Sequence, residues 1–169
     1  ARSKSDSLQI PAKEAIYGLS NNHLEATGVT FVDVADVRIY PDQEVLSISE
    51  GGKIDRLTNA TMASRDTSLP HRFSQAIIEI TDHRTYTGSG NYHYTDIAGR
   101  DFSIWFPSIS SGDKGISSAD GSVPKGEDFA LSPAFRYYGE VFWDNSRVPL
   151  LFNGYAQMMQ PCRNIPLQW

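Results

Sequence analysis

Residues 88–106, GSGNYHYTDIAGRDFSIWF, decide the fold. Glycines open the stretch, aromatic and polar residues alternate from Asn91 to Thr95, the chain turns through Asp96–Gly99, and alternation resumes from Asp101 to Phe106. A period of two in strand-forming residues, interrupted by an Asp/Gly turn, predicts a β-hairpin. Alternation also assigns faces: Tyr92 and Tyr94 share one side of the strand and His93 takes the other. The GSG element precedes a strand rather than a helix, so it lacks the helix N-terminus that a phosphate-binding loop needs.

The same grammar recurs on either side. ADVRIYPDQEVLSI from Ala35 and GEVFWDNSRVPLLF from Gly139 each show a small residue, a short alternating strand, a polar turn and an apolar return strand. In that overlay Val37, Tyr92 and Val141 correspond, as do Ile39, Tyr94 and Trp143. Read as internal repeats or as three ordinary hairpins, the segments make the chain a β-meander. RFSQAIIEI adds a strand, and a short one is expected at Ile54–Thr58. IPAKEAIYGL predicts a short helical turn, with Pro11 at a permitted first-turn position. Residues 1–10 are expected to fray. Residues 107–133, rich in Ser, Gly, Asp and Pro, are expected to form a long surface loop, because so few apolar groups cannot offset the entropy of ordering. The acidic residues in this stretch do not follow the spacing of a calcium-binding EF-hand. The expected class is therefore all-β: an antiparallel meander forming a jellyroll, a sandwich or a short β-solenoid, in a single domain over 1–169.

Composition narrows the function classes. Fifteen Lys and Arg against 20 Asp and Glu give a formal net charge of −5, with no basic cluster to hold nucleic acid. No apolar run approaches the roughly 18–20 residues of a membrane-spanning helix. The single cysteine, Cys162, leaves no internal disulfide framework. The opening ARSKSDSLQI has no methionine and no charged-then-apolar leader, which fits a processed chain, a trimmed one or a segment of a longer polypeptide alike.

Chemistry-bearing motifs are sparse. His23, His71, His83 and His93 lack the close pair spacing of a metal site, although His83 and His93 could meet across neighbouring strands beside Asp82. No G-x-S-x-G elbow occurs, and Cys162 has no signature around it. Glu79, Asp82, Asp96 and Asp101 lie on or beside expected strands, as glycosidase carboxylates would, but most β-proteins offer as many. No cofactor and no catalytic residue is expected. Aromatic residues are the enriched feature. Tyr92, Tyr94, Trp105 and Trp143 are the candidate ligand-binding residues, since an exposed ring row could stack on sugars; the competing reading is core packing and cross-strand pairing. The apolar, sparsely charged segment VPLLFNGYAQMMQPCRNIPLQW nominates Leu150, Phe152, Tyr155, Met158 and Trp169 as an interface.

YTGSGNYHYTDIAGRDFSIWF, YYGEVFWDNSRVPLLFNGYAQMM and ATGVTFVDVADVRIYPDQEVLSI together resemble the repeat pattern of the OstA-like β-jellyroll family, related to the periplasmic bridge of lipopolysaccharide transport. They also resemble segments of very large bacterial cell-envelope proteins with such repeats. The likeness spans roughly residues 26–160 and is one of pattern. It implies an open stack of strands that assembles with neighbours, and it carries no catalytic residue over. The Ser/Gly-rich stretch and the aromatic density depart from that family. The expectation is a non-enzymatic structural, transport or adhesive module of the periplasm, the outer membrane surface or the extracellular space. Its partner would be another protein chain or the rest of a longer polypeptide, with lipid or glycan contacts, and neither nucleic acid nor a transmembrane segment. The competing class is a carbohydrate-binding module or carbohydrate-active enzyme.

Overall fold

A computed structural model describes residues 8–159. Thirteen strands follow one another: β1 (Glu14–Gly18), β2 (His23–Thr27), β3 (Val32–Val34), β4 (Val37–Tyr40), β5 (Val45–Ile48), β6 (Ile54–Ser64), β7 (Arg72–Ile80), β8 (Tyr86–Thr95), β9 (Asp101–Ser111), β10 (Ser117–Val123), β11 (Ala130–Ser132), β12 (Phe135–Asp144) and β13 (Leu151–Met158). A 3-10 turn at Glu50–Gly52 is the only helical element among the described residues. All pairings between strands are antiparallel and join into one 13-stranded sheet that does not close into a barrel. The protein is all-β, as the alternation predicts.

Several of the strands are halves of longer ones. β4 and β5 lie in succession on the same side of β6, with Tyr40 opposite Thr61 and Ile48 opposite Ile54. β2 and β3 follow them in the same way, and β10 and β11 lie in succession along one side of β12, with β13 on the other. The result is a meander of long, interrupted strands with β1 at one edge and β13 at the other. Register shifts between β6 and β7, at Ser74–Ile77 and at Gly88–Gly90 bend the sheet. Its last hairpin folds back over β7 and β8, bringing the Trp143 ring 4.8 Å from Phe73 and Phe152 5.9 Å from Tyr94. One continuous apolar core fills the space, from Val32 and Ile39 through Ile78, Tyr86 and Phe106 to Val141 and Trp143.

A cluster of polar contacts ties distant segments together. The Asp36 carboxylate accepts from the Ser117 backbone N–H at 3.1 Å and from its hydroxyl, while the Asp36 carbonyl accepts from Asn145 Nδ2 at 3.0 Å and from Arg65 N at 3.0 Å. Tyr86 donates its hydroxyl to Ser117 Oγ at 2.7 Å. Ser117 and Asn145 are buried, so these bonds satisfy groups that would otherwise be stranded away from water.

Four local expectations are corrected. The helical turn expected in IPAKEAIYGL is β1, whose residues pair with β2 from Glu14↔Thr27 to Gly18↔His23; a two-strand pairing satisfies backbone groups that one isolated turn cannot. The hairpin expected around PDQE does not exist, because Pro41–Glu44 interrupts a single long strand and both halves pair with β6. The strand expected at Ile54–Thr58 runs on to Ser64. Finally, residues 107–133 are not a long loop: they hold the end of β9, all of β10 and β11, and only short connections. The inner side of β10 is built from Ser117, Ala119, Gly121 and Val123. Bulky neighbours make small residues necessary there; a Cβ on Gly121 would sit 2.8 Å from the Phe106 ring.

Candidate functional site

The predicted β8–β9 hairpin forms as read, with Tyr94 opposite Phe102 and Thr95 opposite Asp101. Its turn is built by Asp96. One carboxylate oxygen accepts the backbone N–H groups of Ala98 and Arg100, each at 2.9 Å, and the other accepts Arg100 Nε at 2.8 Å. Burial opposes the charged form, but the backbone and guanidinium donors of Arg100 outweigh it and hold the carboxyl below its usual range. Asp96 is thereby committed to the turn.

Tyr92 and Tyr94 point from β8 toward the last hairpin. Tyr92 is buried, 5.1 Å from the Phe73 ring, and its hydroxyl lies 2.9 Å from His71 Nδ1. His71 Nε2 donates to the Arg147 carbonyl at 2.6 Å, so this buried histidine links the segment before β7 to the β12–β13 turn. Burial, with Tyr94 adding to it, pushes the Tyr92 phenol up to about 12. Tyr94 joins a second aromatic group centred on Phe129, whose ring lies 5.3 Å from Tyr94, 5.1 Å from Phe102 and 6.2 Å from Phe152. Phe129 enters from the connection between β10 and β11 and is 2% exposed.

Between these groups and the β12–β13 turn lies a cleft of about 330 Å³, lined chiefly by Pro70, Tyr92, Tyr94, Val148, Leu150 and Phe152. His93 and Thr95 also line it, and no Lys, Arg, Asp or Glu does. Two of the candidate ligand-binding residues and two of the candidate interface residues therefore share one concavity. A hollow of about 600 Å³ beside Phe31, Asp33, Arg65 and His83 has a different character. There the Arg38 guanidinium donates to both Asp33 oxygens at 2.7 and 2.8 Å and holds that carboxyl low, so the carboxylate is already neutralised from within.

The cleft leads onto β13, which among the described residues pairs with β12 alone. The pairing is unbroken from Phe135↔Met158 to Phe142↔Leu151. Gly139 and Gly154 face each other within it, with the Tyr137 hydroxyl over both: a Cβ on Gly139 would meet Gly154 Cα at 2.6 Å and Tyr137 Oη at 2.8 Å. On the outer side the Tyr138 and Tyr155 rings stack at 5.1 Å and 18°. Leu151, Tyr155 and Met158 are exposed, Tyr155 at 68%.

The four candidate ligand-binding residues do not share an exposed face. Trp143 is 2% exposed in the core, Tyr92 is buried and Tyr94 is half-buried, while Trp105 stands on the outer face opposite Asn91. Leu150 is buried and Phe152 half-buried in the cleft wall; Trp169 and Cys162 lie outside the described residues. His83 and His93 do not assemble a metal site: His93 Nε2 bonds Ser74 Oγ at 2.8 Å, and no group of three His, Cys, Asp or Glu residues able to hold a metal occurs among the described residues. Asp82 is engaged in a turn, accepting from Arg84 N at 2.7 Å. Sequence reasoning missed His71 and Phe129 as organisers of the cleft. The Pro-His step before a strand was the only signal for the first, and a lone aromatic in a polar stretch was the only signal for the second.

No helix among the described residues is long and apolar enough to cross a membrane. Comparison with known proteins finds no matching family model, curated protein or solved structure.

Proposed function

We propose that the chain is a non-enzymatic structural, transport or adhesive module of a bacterial cell envelope or extracellular assembly, positioned in the periplasm, on the outer membrane surface or outside the cell. The observation that carries this reading is β13, which among the described residues is an edge strand of eight residues, LFNGYAQM, without a charge or a proline, and which adjoins a cleft lined by aromatic and aliphatic side chains with no Lys, Arg, Asp or Glu. Extended chains bind exposed sheet edges through main-chain hydrogen bonds, and adjoining pockets select their side chains. The OstA-like sequence pattern supports the same reading.

A photo-crosslinking residue at Tyr155, compared with one in the exposed β9–β10 turn at Asp113, tests it in the native cells. Adducts to protein chains concentrated at position 155 are expected; equal labelling at both positions overturns the reading.

Trp105 supports a second reading. This residue is 46% exposed on an outer face that offers Asn91, Ser103 and His93, an arrangement suited to stacking on a sugar while hydroxyl and amide groups bond its rim. Glycan-array binding abolished by Trp105→Ala would favour that class.

A further inference from the structure

We infer that the outer face of β4 and β6–β9 holds an extended acidic glycan, with sugar rings stacked on Tyr40 and Trp105 and an anionic substituent on Arg72. The inference rests on the sugar reading of Trp105 and names the class of its ligand.

The strand register puts two exposed aromatic residues at the ends of one row. Tyr40 lies opposite Thr61, Ser74 opposite Asn91, and Asn91 opposite Trp105. Between the pairs Ala60↔Ala76 and Met62↔Phe73, Thr61 faces two residues of β7, Ser74 and Gln75, in a bulge where Gln75 has φ at +49°. Bulges re-aim side chains, and here Gln75 Oε1 accepts from Asn91 Nδ2 at 3.0 Å. The row therefore has an aromatic ring at each end and hydroxyl and amide groups between them. Tyr40 is 40% exposed and Trp105 46%. Four strand spacings of about 4.8 Å separate them, roughly 19 Å in all. A ligand touching both must be several sugar rings long and lie across the strands.

Charge selects the kind of sugar. Two residues along each strand runs a second row, Arg38, Ala63, Arg72, His93 and Ser103, whose ionisable groups are all basic. Arg38 is already occupied, since it donates to both oxygens of Asp33, which faces it on β3, at 2.7 and 2.8 Å. The Arg72 guanidinium, among the described residues, makes no hydrogen bond or ion pair. With Tyr40, Thr61 and Ala63 it lines a hollow of about 400 Å³, and the small Ala63 side chain keeps the floor low. A guanidinium beside an aromatic ring and a hydroxyl suits a sugar that carries a carboxylate: the fork takes both oxygens while the ring covers the C–H side of the pyranose. The chain as a whole carries −5, so a polyanion is drawn to this face by its local charges and not by the net field of the molecule.

Isothermal titration of the full chain with an oligogalacturonate long enough to span the row should show binding that weakens as salt is raised. The fully methyl-esterified oligomer, the same backbone without its charge, should bind far more weakly. Arg72→Gln should weaken binding of the acidic oligomer about tenfold, and Arg72→Lys should restore part of the loss. Tyr40→Ala and Trp105→Ala should each weaken it as well. All three side chains are exposed, so the thermal transition should stay in place in every variant. Equal affinity for the esterified oligomer, unchanged affinity in Arg72→Gln, or equal binding of polyglutamate overturns the inference. If a neutral glycan binds and is lost in Trp105→Ala while the acidic oligomer does not bind, the acidic class is wrong but the sugar reading of Trp105 stands; if no glycan binds, both fail.

Discussion

Trp143 and Trp105 separate what an aromatic residue does inside this sheet from what it does outside. Trp143 packs on Phe73 and, at 5.8 Å, on His71, so removing its ring opens a large cavity at the point where the last hairpin meets β7. Trp143→Ala should cost about 3–5 kcal/mol in urea denaturation. Trp105→Ala, on the outer face, should stay within about 0.5 kcal/mol of the parent. Gly139 is the second decisive position. With φ at +142° and its facing glycine and a tyrosine hydroxyl inside contact distance, Gly139→Ala combines backbone strain with overpacking and should destabilise by about 1–3 kcal/mol. Tyr138 and Tyr155 should lose their stacked geometry in the same variant, visible as a change in near-ultraviolet circular dichroism.

At the scale of elements, the turns share one chemistry. Asp66, Asp82, Asp96 and Asp144 each accept the backbone N–H two residues on, from Ser68, Arg84, Ala98 and Ser146 at 2.7–2.9 Å. All four carboxyls titrate below their ordinary range. The causes are chiefly the Ser68 and Ser146 hydroxyls for Asp66 and Asp144 and the Arg84 N–H for Asp82; at Asp96 burial is overcome by the Arg100 donors. A carboxyl depressed in the folded chain binds protons more readily when unfolded. Its contribution is complete above the ordinary Asp value of about 3.9 and is lost as the pH falls through the depressed folded values. Stability should therefore be flat in mildly acidic buffer and fall steeply below about pH 4, and Asp96→Asn should flatten that slope. Denaturation midpoints measured at descending pH check both statements.

The β8–β9 hairpin was legible because its alternation is strict and its turn residues are strong. β10 was not, since its inward positions carry Ser, Ala and Gly, small enough to admit the rings of neighbouring strands; composition alone cannot distinguish that from a solvated loop. Pro41 misled in the opposite direction, reading as a hairpin turn where it interrupts a strand. Alternation put Tyr92 and Tyr94 together, but which side faces the core depends on the fold of β12 and β13 over β7 and β8. For that reason the cleft could not be read from the sequence, although four residues in its wall could.

For the molecule as a whole, the contacts of Asp36 matter most. Asp36→Ala leaves the buried Ser117 N–H and hydroxyl without their acceptor and should cost about 1–3 kcal/mol. Native-state hydrogen exchange should then show faster opening at Ser117 and Asn145, with the β8–β9 hairpin unaffected.

The order of events during folding follows from the distances along the chain. Strands of the meander pair with near neighbours, whereas Asp36 reaches Ser117 and Asn145 across separations of 81 and 109 residues. Hairpins can therefore form early, and the Asp36 contacts are made only after most of the chain is in place. In stopped-flow experiments Asp36→Ala should leave the refolding rate nearly unchanged and carry almost its whole effect in faster unfolding. A single carboxylate would then govern how long the folded molecule persists, and hardly at all how fast it is made.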